Sequence, residues 1–231
     1  MRTNLKSVGA ITRINFTKTT WIGYLVALLS FASTFIQVLI RYLTNTPDGG
    51  TTSAGNNLLL ILILSAILIP AVNFKKIMHL NGKKIDFFWG CILNYIILSA
   101  VLSLIILVLN KTVDNTMSSV VDIWDIVDIF GWTNNGLLLA FARQFSFYLL
   151  LAVTIHTLTA IQTFWWGWVI DLVIAAIISV FTPIAMLRQL LVDFFNVIIF
   201  NPHPVAHIAV CLSLAIVIYS FNISILSRKK I

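Results

Sequence analysis

The fold class this sequence predicts is an all-α integral membrane protein, and three observations predict it. Hydrophobic residues make up 59% of the 231 residues against 10% charged, with a mean hydropathy of +0.98, which leaves too little polar surface to cover a soluble globule. Apolar runs long enough to cross a hydrocarbon core of roughly 30 Å recur along the chain. Basic residues gather in short segments between those runs.

Six spans are expected, over 21–43, 54–74, 87–109, 137–161, 164–186 and 205–226, making 1–231 a single transmembrane domain. Ahead of them, Arg2, Lys6 and Arg13 fall within about 40° of one another at about 100° per residue, with Leu5, Val8, Ile11 and Ile14 on the other side. That pattern predicts an amphipathic interfacial helix over 1–20, with a disordered basic tail as the alternative. The Thr-rich stretch before Trp21 and the length of the run after it argue against a cleaved signal. Arg41 is placed to snorkel at the outer end of span one, and Thr44 to Asn56 reads as an outer turn. The apolar run 58–72 is short, so span two is expected to start near Ala54, with Pro70 bending or loosening its inner end.

Span three carries Asn94 as its only strongly polar side chain. The stretch Asn110 to Asn135 holds Asp114, Asp122, Asp125 and Asp128, the last three at i, i+3 and i+6, which predicts an acidic surface helix with a solvated face. The alternate spacing and glycine of a calcium loop are missing. Span four contains Arg143, Gln144 and His156, and span five opens with Trp165-Trp166-Gly167-Trp168 and contains Asp171. Polar groups at membrane depth usually face protein or a water-filled cavity, so Asn94, Arg143, Gln144, His156 and Asp171 are candidate pathway or structural residues. Arg143 and Asp171 are poorly matched in depth for a direct pair. Snorkelling of Arg143 and a purely structural Asp171 are the alternatives. Residues 187–204 are too polar to span: an amphipathic LRQLLVDFFNVIIF runs into Asn201-Pro202-His203-Pro204, which predicts helices that dip into the outer leaflet and return.

Eleven of the fifteen Lys and Arg residues flank the inner ends of these spans, and six of the eight aspartates lie on the other side. The asymmetry predicts both termini in the cytoplasm. Placed beside spans, the basic residues explain the net charge of +7 through membrane orientation and anionic lipid, and no nucleic-acid partner is expected.

The segment Asn73 to Asp86, NFKKIMHLNGKKID, concentrates four lysines and a histidine between two apolar runs. Phe74, Ile77 and Met78 recur at i, i+3 and i+4, and Asn81-Gly82 supplies a helix end. A short helix at the cytoplasmic end of two spans is placed to touch a soluble partner; a plain basic connector is the alternative. The sequence contains no GxxxxGK[ST], HExxH or GxSxG motif and no glutamate at all, which removes phosphate-loop ATP hydrolysis and the glutamate-based intramembrane proteases. Cys91 and Cys211 sit in apolar runs, and His203 and His207 at i, i+4 lack a third ligand, so neither a disulfide framework nor a metal site is expected.

In layout the chain resembles the six-span permease subunits of bacterial ABC exporters of the second exporter class, whose fold is also called type V. The matching parts are the interfacial start at Arg2 to Lys18, the loop Asn73 to Asp86 running into Phe87-Phe88-Trp89-Gly90, the broken outer segment Leu187 to Pro204, and the Arg228-Lys229-Lys230 end. The resemblance implies that Phe74, Lys75, Lys76, Ile77, Met78 and His79 form a coupling helix seated in an ABC ATPase subunit. It also implies re-entrant helices before the last span and a second permease, identical or related. ATP and Mg would be bound by the partner, with no cofactor on this chain, which is therefore not itself an enzyme. The location implied is the bacterial plasma membrane, and an apolar interior favours amphipathic or hydrophobic cargo such as peptide, lipid or drug. A non-transporting membrane immunity or sensor protein is the alternative function.

Overall fold

The computed structural model describes residues 4–44, 50–118 and 122–229. Arg2 of the interfacial start, Asp48 of the outer turn and Lys230 of the basic end lie outside them. Helix α1 covers Leu5–Thr44, and α2 (Ala54–Leu68) continues through a π-helical turn, Ile69–Asn73, into α3 (Phe74–His79). After it come α4 (Lys84–Leu109), a second π-helical turn (Asn110–Asp114), α5 (Asn115–Met117) and α6 (Ile126–Ile129). The chain ends with α7 (Leu137–Ile161), α8 (Trp165–Phe181), α9 (Ala185–Ile198) and α10 (Pro204–Arg228). Among the described residues five continuous helices are long and apolar enough to cross a membrane, or six if the bent pair α8 and α9 makes one crossing. The chain is a multi-pass all-α membrane protein.

α1 is a single helix of 40 residues, about 60 Å at 1.5 Å per residue, so no break separates the residues expected as an interfacial helix, 1–20, from those expected as a span, 21–43. Nothing in the Thr-rich stretch breaks it. The hydroxyls of Thr17 and Thr20 donate to the carbonyls of Arg13 and Phe16 one turn back, which keeps them within the helix. Its buried face is largely small and polar, with Val8, Ile11, Thr12, Asn15, Thr19, Val26, Ser30 and Thr34 recurring about a turn apart, while Lys6, Arg13 and Lys18 stay exposed. Thr12 donates to the Gly90 carbonyl at 3.3 Å and Ser30 to that of Ala54 at 2.9 Å. A Cβ on Gly90 would lie 2.7 Å from Ile11 Cγ2, so glycine lets α1 approach α4.

The core runs between α1, α2, α4, α7 and α10 through Leu62, Ala66, Phe87, Tyr95, Val153 and Cys211, all fully buried. α8 adds only Gly167 to the interior. It meets α9 at 117°, and the helix predicted over 164–186 therefore stops at Phe181. The segment predicted over 187–204 becomes one helix, α9, ending in an irregular turn over 199–203.

The expected acidic surface helix is also corrected. Asp122 precedes a two-residue strand, Ile123–Trp124, paired in parallel with Thr51–Thr52, and Asp125 is the N-cap of α6, its carboxylate accepting the Val127 N–H. Asp114 and Asp125 are buried, not solvated. Two ends of the bundle follow from these placements: a basic end around α3, and an acidic end around α6.

Candidate functional site: the basic end and the buried polar clusters

α3 ends at Asn81-Gly82 for a steric reason. Asn81 has φ +58°, which asparagine tolerates better than most residues, and the Gly82 N–H donates to the Ile77 carbonyl at 3.0 Å. A Cβ on Gly82 would lie 2.8 Å from that same carbonyl oxygen. α3 is not a separate helix between spans but the continuation of the 26-residue helix that begins at Ala54.

Its apolar face turns inward. Phe74 is 1% exposed and packs edge-to-face on Phe87 with 5.3 Å between ring centres, and Ile77 and Met78 are buried beside it. The three residues expected to anchor a partner thus belong to this chain's own core. Lys75, Lys76 and His79 remain at the surface, with Leu80, 68% exposed, at the tip. Beneath them lies Lys229. It is 5% exposed, its Nζ donates to the Pro70 carbonyl at 3.3 Å, and its ammonium stands 4.6 Å from the centre of the Phe74 ring. Burial, then the nearby Lys75, hold the Lys229 ammonium below the ordinary lysine pKa. Lys84 Nζ in turn donates to the carbonyls of Lys229 (2.7 Å) and Ser227 (3.2 Å). The π-turn residue Asn73 donates to Asn15 at 2.9 Å, and Asn15 reaches Cys91 Sγ at 3.8 Å, so α1, α2 and α4 meet through side-chain amides.

The other singled-out residues fall into separate groups. His156 Nδ1 and Tyr95 Oη are 2.7 Å apart, and the Tyr219 hydroxyl beside them donates to the Phe88 carbonyl at 2.6 Å. Gln144 donates to Tyr148 Oη at 2.9 Å. Asn94 is fully buried, and neither the nitrogen nor the oxygen of its carboxamide has a hydrogen-bond partner among the described residues. Asp171 accepts from Gln162 at 2.5 Å near the start of α8. Arg143 lies instead at the acidic end, where it donates to the Asn201 carbonyl at 2.6 Å.

Arg143 there is one of several donors that catch carbonyls at the end of α9 and in the turn after it. Trp132 Nε1 donates to Ile199 O at 2.9 Å, and His207 Nε2 to Ile198 O at 2.8 Å. Cys211 Sγ also donates to Ile198 O, at 3.6 Å, so donors from α7, from the loop after α6 and from α10 clamp the turn after α9 to the bundle. His207, weighed with His203 as a metal ligand, therefore holds a helix end. Among the described residues no three His, Cys, Asp or Glu side chains are grouped to hold a metal ion. Lys229, Trp132 and His207 escaped sequence reasoning as contact residues because each donates to a backbone carbonyl, which no side-chain pattern marks.

No family model, curated protein or solved structure matches this chain.

Proposed function

We propose that the chain is the permease subunit of an ATP-driven bacterial exporter, with a separate ABC ATPase docking on Lys75, Lys76, His79 and Leu80. The supporting observation is the build of the basic end: exposed cations on a helix whose apolar face is fixed to the core. A force on α3 passes along one continuous helix into α2, and through the Lys229 contacts into α10. In this reading the basic end and both termini face the cytoplasm, the start of α1 lies at the inner membrane surface, α8 crosses, and α9 is re-entrant from the outer side. A second permease, identical or related, supplies the facing wall of the path, and ATP and Mg stay on the ATPase.

Purification of the tagged chain from its native membrane in mild detergent tests the reading. A phosphate-loop ATPase is expected to accompany it, and to be lost from a Lys75→Glu, Lys76→Glu double variant that still inserts. Recovery of the wild-type chain without any such ATPase would favour the immunity or sensor alternative.

A further inference from the structure

We propose that the groove between α7, α8 and α10 holds an acyl chain of an anionic phospholipid, with the lipid's phosphate on Arg228. The groove has a volume of about 360 Å³ and a mostly apolar wall, with Leu158 and Ile161 from α7, Trp166 and Ile170 from α8, and Phe221 and Ile225 from α10. Its one charged lining residue is Arg228, the last residue of α10. α8 is pinned to α7 at Gly167, where a Cβ would collide with the Ile161 carbonyl, and it buries no other residue.

Charge and depth both select a lipid head. Arg228 is exposed and has no ion-pair partner among the described residues. The Lys84 ammonium donates to the carbonyls of Ser227 and Lys229, the residues on either side of Arg228, so a second cation stands beside it. No aspartate lines the groove, and the nearest along α8, Asp171, already accepts from Gln162. Arginine pairs with phosphate through two parallel N–H donors, while its stem can lie along apolar wall. Trp165 and Trp168, both exposed, flank Trp166 at the start of α8, and indoles so placed mark the level of lipid headgroups. A zwitterionic lipid brings an ammonium of its own toward Arg228 and Lys84, whereas an anionic lipid brings none, so the anionic one is preferred.

Other apolar grooves lack this pairing. Two beside Trp89 have no charged residue in their walls. A third, between α4 and α7, includes Lys111, but Lys111 also lines the neighbouring cavity of Asp114, Asp125 and Asp128, which leaves that end net negative. The inference needs neither the ATPase nor a fixed orientation of the chain across the membrane, so it stands or falls apart from the proposed function.

The test is native mass spectrometry of the purified full chain in a maltoside, titrated with an equimolar mixture of dioleoyl phosphatidylglycerol and dioleoyl phosphatidylcholine. The phosphatidylglycerol adduct is expected to exceed the phosphatidylcholine adduct at least about fivefold, and Arg228→Gln to remove that preference. Ser224→Phe, which puts a ring into the exposed part of the wall, should lower retention of both lipids. Arg13→Gln takes an exposed cation from α1, next to the Thr12 that meets Gly90, and should leave the preference unchanged. Equal retention of the two lipids by the wild-type chain overturns the head site, as does a preference that persists in Arg228→Gln. A preference lost equally in Arg13→Gln would show diffuse attraction to the basic end, and also overturns it. Full retention by Ser224→Phe overturns the acyl groove, and the arginine variants still decide the head site if that protein fails to fold.

Discussion

The ammonium of Lys229 stands 4.6 Å from the centre of the Phe74 ring, which joins the last residue described in the chain to the first residue of α3. Its other partner is the Pro70 carbonyl, in the π-helical turn just before. Lys229→Ala should cost about 1–2 kcal/mol in thermal unfolding, from a lost hydrogen bond and a lost cation–π contact, while Lys229→Arg should retain most of it. Spin labels at Leu80 and Ser227 should report a broader distance distribution in the alanine variant. An unchanged distribution and midpoint would show that the contact holds nothing.

Ile77→Asp and the Lys75→Glu, Lys76→Glu pair should fail in different ways. Ile77 is buried, so an aspartate there places an unpaired carboxylate in the core and should abolish folded protein, at a cost of several kcal/mol. The lysines are exposed, and their reversal should leave the fold intact while removing the proposed ATPase. Size-exclusion profiles together with co-purification separate the two; a folded Ile77→Asp protein would contradict the inward orientation of α3.

Gly90→Val should drive α1 from α4, because its Cβ alone would sit 2.7 Å from Ile11 Cγ2. Overpacking of this kind costs about 1–3 kcal/mol. Adding Ile11→Ala should restore part of the loss, and a cycle of the four proteins by thermal unfolding measures the coupling.

Arg143→Leu should release the turn after α9. The Asn201 carbonyl loses its donor, a loss of about 1–3 kcal/mol, and hydrogen exchange of the amides over 199–207 should quicken. Unaltered exchange there would mean that Trp132 and His207 suffice.

Asp125 carries a pH signature. Burial first, and the neighbouring Asp128 less, raise its carboxyl above the ordinary value, outweighing the Val127 N–H and Asn110 bonds that favour the charged form. Its folded-state pKa therefore exceeds the unfolded one. The stability it contributes is full below the ordinary carboxylate range and is lost as pH rises through the raised value. Asp125→Asn keeps an N-capping oxygen and should flatten that part of the stability curve, and unfolding midpoints between mild acid and neutrality check it.

The helices of the bundle were legible because long apolar runs admit few other readings, as with α7 and the run into α4. Direction was not. Phe74, Ile77 and Met78 form one apolar face on any account, but periodicity cannot say whether that face meets a partner or the chain's own Phe87. Likewise Thr12, Asn15 and Thr19 look like a polar lead into a span, and only Gly90 and Cys91 opposite them explain why such residues are buried. The aspartates of the acidic end misled in the same manner. Their i, i+3, i+6 spacing fits a helix, whereas Asp125 caps one and Asp122 lies before a strand.

The π-helical turn at Ile69–Asn73 sets the rotational phase of everything after it. From Ile61 to Met78 the buried residues come in pairs four apart: 61 and 62, 65 and 66, 69 and 70, 73 and 74, 77 and 78. In a uniform helix each step of four overshoots a full turn by about 40°, and four steps would swing the last pair about 160° off the core. The wider turn winds part of that angle back. Excising one residue from it would rotate α3 by about 100°, sweeping Lys75 and Lys76 toward the protein and Phe74 away from it. Which side chains the basic end displays is therefore decided five residues upstream, by winding rather than by composition.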